Sequence, residues 1–122
     1  MTRPAPRRLA LGWTLLIVIL LTLPGEALPS TTLFEYDKLG HAVLFGVLGW
    51  LWMHALPHSL RVRIAGVLAG GAVFAVMSEF YQGLLPWPRT PDALDVVADV
   101  IGLIVGVSLY ALRTRRSTAM AP

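Results

Sequence analysis

The sequence contains no cysteine, which excludes disulfide bonds, thiolate metal ligands and cysteine nucleophiles. Charged side chains are also scarce, at 14% of the 122 residues, whereas a soluble domain carries about 25%. Hydrophobic residues make up 56% of the chain and the mean hydropathy is +0.68, a composition that excludes intrinsic disorder. The composition therefore predicts an integral membrane protein, and the length predicts a single domain over residues 1–122.

Charged residues divide the sequence into four apolar segments. A membrane-spanning helix needs about 20 mostly apolar residues, and each segment is close to that length. Together they predict an all-α fold, a bundle of four transmembrane helices over about residues 9–23, 39–56, 64–85 and 96–112. A proline follows the first three predicted helices, at Pro24, Pro57 and Pro86, where proline commonly stops a helix.

The basic residues are distributed very unevenly around these segments. Eight of the ten lie on one side of the predicted membrane, namely Arg3, Arg7, Arg8, Arg61, Arg63, Arg113, Arg115 and Arg116. Only Lys38 and Arg89 lie on the other side. Because lysine and arginine in short loops stay in the cytoplasm, both termini are predicted to be cytoplasmic. Membrane orientation thus accounts for the net charge of +3, and no nucleic-acid partner is expected.

The first apolar segment has a second interpretation. Arg7 and Arg8, the apolar run that follows them and the small residues Gly25 and Ala27 are also compatible with a cleavable signal peptide. Removal of that segment would leave three helices, with the remaining loops on the same sides of the membrane.

All seven carboxylates fall on the outward half of the predicted topology. Two of them, Glu79 and Asp99, lie inside predicted helices, and Glu79 is about 9 Å below the outer boundary at 1.5 Å per residue. A carboxylate at the bilayer centre costs about 2.5 to 3.5 kcal/mol, so such residues usually face a protein interior or a wet cavity. His41 lies at a similar depth in a third helix. Polar groups on three helices therefore predict a pocket that opens outward.

Helical spacing places these polar residues on common faces. Residues three or four apart share one side of a helix, as do Asp37 with His41, Glu79 with Gln82, and Asp95 with Asp99. The two outward basic residues complete the candidate polar site, which consists of Asp37, Lys38, His41, Glu79, Gln82, Arg89, Asp95 and Asp99. In the alternative, structural interpretation the basic residues only neutralise carboxylates and fix helix packing. Asp92 stays outside the candidate site because it is equally well explained as a loop carboxylate.

Two Gly-x-x-x-Gly motifs predict close contacts between helices. They are Gly66 with Gly70 and Gly102 with Gly106, and small residues let transmembrane backbones approach each other. Gly102 lies three residues beyond Asp99, so the face of the last helix that carries the glycines roughly continues the face that carries the carboxylates. Both faces are expected to point into the bundle.

These blocks together resemble the VanZ-like family of small bacterial membrane proteins. The resemblance covers about residues 37–106 and rests on five elements: Asp-Lys-x-x-His from Asp37 to His41, Glu-x-x-Gln from Glu79 to Gln82, Arg89, Asp95, and Gly102 with Gly106. One departure is Asp99, where the family often has asparagine. The resemblance implies a protein of the bacterial cytoplasmic (inner) membrane. The family is named for a protein associated with low-level teicoplanin resistance, which connects it with the cell envelope.

An outward polar site is compatible with several functions. The favoured interpretation is that Lys38, Gln82 and Arg89 bind the phosphate or carbonyl oxygens of a lipid or lipid-linked cell-envelope headgroup. A membrane-embedded enzyme acting on such a lipid would use His41 and Glu79 as acid and base. Alternatively, it would hold a divalent cation with His41, Glu79, Asp95 and Asp99. The pattern identifies no catalytic residue, no definite metal site and no cofactor.

A small proton-coupled transporter is a further alternative, since four helices with a buried glutamate also resemble the small multidrug resistance exporters. In those proteins the functional glutamate lies in the first helix, whereas the first segment here contains none before Glu26. An assembly role in a larger envelope complex is a fourth interpretation. The sequence leaves the oligomeric state open, including a homo-oligomer.

Overall fold

The computed structural model describes residues 4–23, 37–87 and 92–120, and within them the fold is all-helical. This described part contains four helices: α1 Pro4–Thr22, α2 Asp37–Ala55, α3 Leu60–Gly83 and α4 Ala93–Met120. Each predicted apolar segment coincides with one of them. The predicted helical class and the order of the helices are therefore confirmed.

The helices extend beyond the apolar segments where those segments meet charged residues. α4 has 28 residues and is about 42 Å long at 1.5 Å per residue, which exceeds the thickness of about 30 Å of a membrane's apolar layer. The predicted end at residue 112 is wrong, because a charged residue ends an apolar run without breaking helical hydrogen bonds. α3 begins at residue 60, where the Ser59 hydroxyl accepts from the Val62 N–H at 3.4 Å and caps the helix.

Three of the described helices are long and apolar enough to cross a membrane: Ala5–Thr22 within α1, Leu60–Gly83 in α3 and Ala93–Thr118 within α4. α2 is not among them, because Lys38, His41 and His54 reduce its hydropathy. The fourth predicted span, in α2, stays a prediction.

α2 packs against all three other helices, and most extensively against α4, which runs parallel to it. A Cβ atom on Gly102 would overlap the backbone carbonyl of Ala42, and one on Gly106 would overlap that of Gly46. Only glycine fits at these two positions. Backbone contact therefore sets the register of α2 on α4.

The other Gly-x-x-x-Gly motif is placed differently. A Cβ atom on Gly66 or Gly70 would meet no atom within 4 Å, and both glycines line an apolar groove of about 220 Å³. The expectation that this motif brings two helices together is not met within the described residues. The neighbouring Gly71 does pack closely, against the side chain of Leu103 in α4.

Hydrogen bonds and buried side chains attach α1 to the rest of the bundle. Ile17 is fully buried, and the Trp13 indole N–H donates to the Leu44 carbonyl of α2 at 2.9 Å. At the far end of α1, the hydroxyls of Thr22 and Tyr81 lie 2.6 Å apart. The last residues of α1 and α3 therefore lie at the same end of the bundle.

Candidate functional site

Six ionisable side chains meet at the end of the bundle where α2 and α4 begin. We call them the polar cluster, which consists of Lys38, His41, Glu79, Asp92, Asp95 and Asp99. α2 and α4 contribute from their first two turns, α3 contributes from its last turns, and Asp92 directly precedes α4. The contact of Gly102 with Ala42 lies just inside the cluster. It holds α2 and α4 close enough for their polar side chains to pair.

The ammonium group of Lys38 lies between two carboxylates. Its Nζ donates to Asp92 Oδ2 and to Asp95 Oδ1, each at 2.6 Å. The Lys38 side chain is 44% exposed, whereas that of Asp95 is only 7% exposed, so solvent screens the outer part of this ion pair more than the inner part. The hydrogen bond to Asp92, followed by that to Asp95, raises the pKa of Lys38. The same bond lowers the pKa of Asp92.

His41 lies deeper and pairs with the last carboxylate of the cluster. Its Nδ1 is 2.6 Å from Asp99 Oδ1, and its Nε2 is 3.7 Å from Asp95 Oδ2. His41 is 8% exposed and Asp99 is completely buried, so the hydrogen bond between them is shielded from water. The imidazole ring is thus held between two carboxylates of α4. The second oxygen of Asp99, Oδ2, has no hydrogen-bond partner among the described residues.

Glu79 ties the segment before α4 to α3. Its Oε2 accepts from the backbone N–H of Asp92 at 2.8 Å. Asp92 in turn accepts through Oδ1 from the Leu94 N–H at 2.9 Å, the bond by which an aspartate caps the start of a helix. Asp92 therefore both caps α4 and binds Lys38. This double role explains why its carboxylate is held at the edge of the cluster.

An apolar groove of about 560 Å³ between α3 and α4 leads to the polar cluster. Glu79 and Asp92 lie in its lining together with Val76, Phe80, Gly83, Leu84, Ala93 and Val96. The apolar wall is well exposed at Phe80 of α3, which is 68% exposed, and at Leu84 directly after α3, which is 84% exposed. One continuous surface therefore presents carboxylates and an apolar wall side by side.

The structure brings together five of the eight residues of the sequence-predicted site: Lys38, His41, Glu79, Asp95 and Asp99. Gln82 is buried one turn beyond Glu79 on α3. Asp37 is the first residue of α2, and its side chain lies outside the described part. Arg89 also lies outside the described residues.

Asp92 belongs to the polar cluster although the sequence pattern left it out. A signal for it was present, because it lies three residues before Asp95 and is an aspartate shortly before the predicted helix, and aspartate is a favoured capping residue. No group of three or more histidine, aspartate and glutamate side chains in the described part is arranged to hold a metal ion.

Apolar helices of membrane length, with ionisable side chains buried among them, define a polytopic membrane protein with an internal polar site. A family model described as VanZ/LLP1 matches residues 8–114, a range that contains the whole polar cluster. The chain therefore belongs to the VanZ/LLP1 family, and the resemblance drawn from its motifs is confirmed. The same comparisons find no match among curated proteins or solved structures.

Proposed function

We propose that this protein binds the polar headgroup of a lipid or lipid-linked cell-envelope intermediate at the polar cluster. The observation that carries the proposal is the groove between α3 and α4, whose apolar wall ends at Glu79 and Asp92. A ligand that matches this surface has a polar head and an apolar chain. The groove volume of about 560 Å³ is within the usual range of about 300 to 1,000 Å³ for ligand sites.

The depth of the cluster supports a headgroup as the bound part. Glu79 lies four residues before the end of α3, which is about 6 Å along the helix. A carboxylate at that depth is close to the level of lipid headgroups, while Phe80 and Leu84 offer an exposed apolar surface to the chain. Binding from the side would let the acyl chain stay in contact with the bilayer.

The proposal includes a topology in which all four helices span the bacterial cytoplasmic membrane and both termini are cytoplasmic. The eight-to-two distribution of basic residues supports it. Because the chain lacks cysteine, single cysteines report sidedness directly. A cysteine at Ser30 should react with an impermeant thiol reagent in intact cells, and one at Ser117 should not. The reverse pattern would place the polar cluster on the cytoplasmic side.

Photo-crosslinking in the native membrane tests the headgroup proposal. A benzophenone amino acid at Phe80, in the groove, should capture predominantly one class of lipid or lipid-linked molecule, identified by mass spectrometry of the adduct. Val73 is the matched control, because it is on the same helix, is 63% exposed and does not line the groove. Adducts at both positions that only mirror the bulk lipid composition would contradict the proposal.

An enzyme acting on the same lipid is the second candidate, and the hydrogen bond between His41 and Asp99 favours it. A carboxylate that fixes one imidazole nitrogen is the arrangement used to orient a general base. Turnover of the crosslinked lipid class by the purified protein, lost in His41→Gln, would support this candidate. The link to teicoplanin resistance rests on the family resemblance alone. Drug susceptibility of cells with and without the gene tests it.

A further inference from the structure

We propose that the end of the bundle opposite the polar cluster binds an anionic phospholipid, with the phosphate at Arg113 and Arg116 and one acyl chain in the groove between α2 and α4. This second site lies near the last turns of α4, whereas the polar cluster lies near its first turns. It is independent of the headgroup site proposed above. Two adjoining cavities and an unbalanced charge carry the inference.

The first cavity is a hollow of about 330 Å³ at the surface of α4, which we call the arginine hollow. It is lined by Leu109, Leu112, Arg113, Arg116 and Ser117. Arg113 and Arg116 are three residues apart and therefore share one side of the helix. The guanidinium of Arg113 lies over the ring of Trp50, 5.7 Å from its centroid, and neither arginine donates a hydrogen bond to any described residue. Their N–H donors are thus available to phosphate oxygens, which arginine binds in a bidentate manner.

No acidic side chain balances these arginines at their end of the bundle. The sequence contains no aspartate or glutamate in residues 1–25, 38–78 and 100–122. These stretches include the last turns of α2, the first turns of α3 and the second half of α4. The counter-charge for Arg113 and Arg116 therefore comes from outside these helices, and an anionic group is attracted to this end.

The second cavity is an apolar groove of about 450 Å³ where α2 meets α4, and every residue that lines it is apolar. Ile101, Val105 and Leu109 line it at intervals of four residues, and each is more than half exposed. Leu109 also lines the arginine hollow, so the two cavities adjoin. From Ile101 to Leu109 the groove extends about 12 Å at 1.5 Å per residue, which is comparable with half of a membrane's apolar layer of about 30 Å. The groove therefore suits one acyl chain of one leaflet.

An anionic phospholipid matches both cavities better than the other possible occupants. A soluble anion such as inorganic phosphate would fill the arginine hollow and leave the groove empty. A second copy of this chain would have the same orientation in the membrane, so its own arginines would lie at the same end as Arg113 and Arg116. Repulsion between these like charges disfavours that arrangement, whereas a lipid phosphate neutralises them.

Native mass spectrometry with defined lipids tests this inference. Delipidated protein receives an equimolar mixture of phosphatidylglycerol and phosphatidylcholine with identical acyl chains. We expect phosphatidylglycerol to be retained about tenfold more, which corresponds to about 1.4 kcal/mol. Inorganic phosphate, which lacks the chains, should not bind measurably. Equal retention of the two lipids, or binding of inorganic phosphate as tight as that of phosphatidylglycerol, would overturn the proposal.

Single-charge variants separate the arginine hollow from a general attraction of anions. Arg116→Gln should lower the preference for phosphatidylglycerol about fivefold. Because Arg116 makes no hydrogen bond or ion pair with a described residue, the fold should be kept, and thermal unfolding checks this. Arg115→Gln is the matched control, since it removes the same charge from the same turn but does not line the hollow, and it should keep the preference. Equal losses in both variants would overturn the site.

A second pair of variants tests the groove. Val105→Trp fills it and should abolish the preference, because the phosphate and the chain can no longer be bound together. Ile104→Trp places the same side chain at the neighbouring exposed position, outside the groove, and should keep the preference. Unchanged retention in Val105→Trp would overturn the proposal, as would a lipid-free dimer that this variant disrupts. Loss of the preference in Glu79→Gln but not in Arg116→Gln would assign the anionic lipid to the polar cluster instead.

Discussion

The two ends of the bundle differ in how they accommodate charge. At the end where α3 begins, Arg63 donates to the Met53 carbonyl at 2.7 Å and to the Tyr110 hydroxyl at 3.2 Å, and the guanidinium of Arg113 lies 5.7 Å from the ring centroid of Trp50. At the opposite end, the polar cluster pairs buried carboxylates with Lys38 and His41. Arginines thus meet carbonyls and rings at one end, and carboxylates meet cations at the other.

The two ends therefore differ in whether charge is buried together with a counter-charge. Carbonyls and aromatic faces bind arginines without burying a counter-charge, which is sufficient for packing. Burying Glu79, Asp95 and Asp99 is costly in a membrane protein, and packing alone would be achieved more cheaply by apolar residues. The headgroup site proposed at the polar cluster accounts for this retained cost.

The largest effect is expected where the register of α2 on α4 is changed. Gly102→Val should lower the free energy of unfolding by about 3 kcal/mol, because its side chain would overlap the backbone of Ala42. Gly66→Val is the matched control and should change it by less than about 1 kcal/mol, since a Cβ atom there meets nothing within 4 Å. Unfolding of both variants in detergent provides the measurement. Equal effects would contradict the assignment of packing to Gly102.

A smaller effect is expected at the inner hydrogen bond of the polar cluster. Asp99→Ala removes the buried carboxylate that pairs with His41 Nδ1 and should cost about 2 kcal/mol. Asp99→Asn keeps an acceptor for the imidazole N–H and should cost less than about 1 kcal/mol. Thermal unfolding of both variants checks the order. If asparagine proves as harmful as alanine, the role of Asp99 requires its charge.

At the arginine end, loss of a contact should change stability without changing ligand binding. Arg63→Met removes the bonds to Met53 and Tyr110 and should lower the free energy of unfolding by about 1 to 2 kcal/mol. Retention of the bound lipid in native mass spectrometry should equal that of the wild type. Loss of the lipid from this variant would remove the distinction between the two ends.

The smallest effect concerns pH and the pair of Lys38 with Asp92. The pKa of Asp92 is lowered from the ordinary aspartate pKa of 3.8. The pair therefore stabilises the fold fully above pH 3.8, and this stabilisation is lost as the pH falls through the lowered pKa. The pKa of Lys38 is raised from the ordinary lysine pKa of 10.5. Its contribution to stability is therefore fully present below pH 10.5 and is lost only as the pH rises through the raised pKa. The stability difference between wild type and Lys38→Met should therefore be constant from about pH 5 to 9. A difference that changes within this window would contradict the pairing.

Much of the fold could be predicted from the sequence because apolar runs identify helices directly. The ends were less predictable: α4 continues past Arg113 to residue 120, since charge ends an apolar run but not a helix. The contrast between Gly66 and Gly102 was also unpredictable, because identical spacing does not show which motif meets a neighbouring backbone. That depends on how α2, α3 and α4 are arranged in three dimensions.

The candidate site was predictable where it lies on helices and unpredictable between them. Spacing within a helix placed Asp95 and Asp99 on one face, but it says nothing about distances from one helix to another. The ion pairs of Lys38 with Asp92 and Asp95 depend on such distances. Asp92 was missed because it lies just before α4, where the helical-face rule does not apply.

Native mass spectrometry of protein gently extracted from its own membranes tests the central claim most directly. The wild type should retain a lipid or lipid-linked molecule, and Glu79→Gln should lose it while reaching the membrane in normal amounts. Arg115→Gln, which also removes one charge but at the opposite end of the bundle, should retain it. Identical spectra for all three proteins would contradict a headgroup site at the polar cluster and would leave the cluster with a packing role.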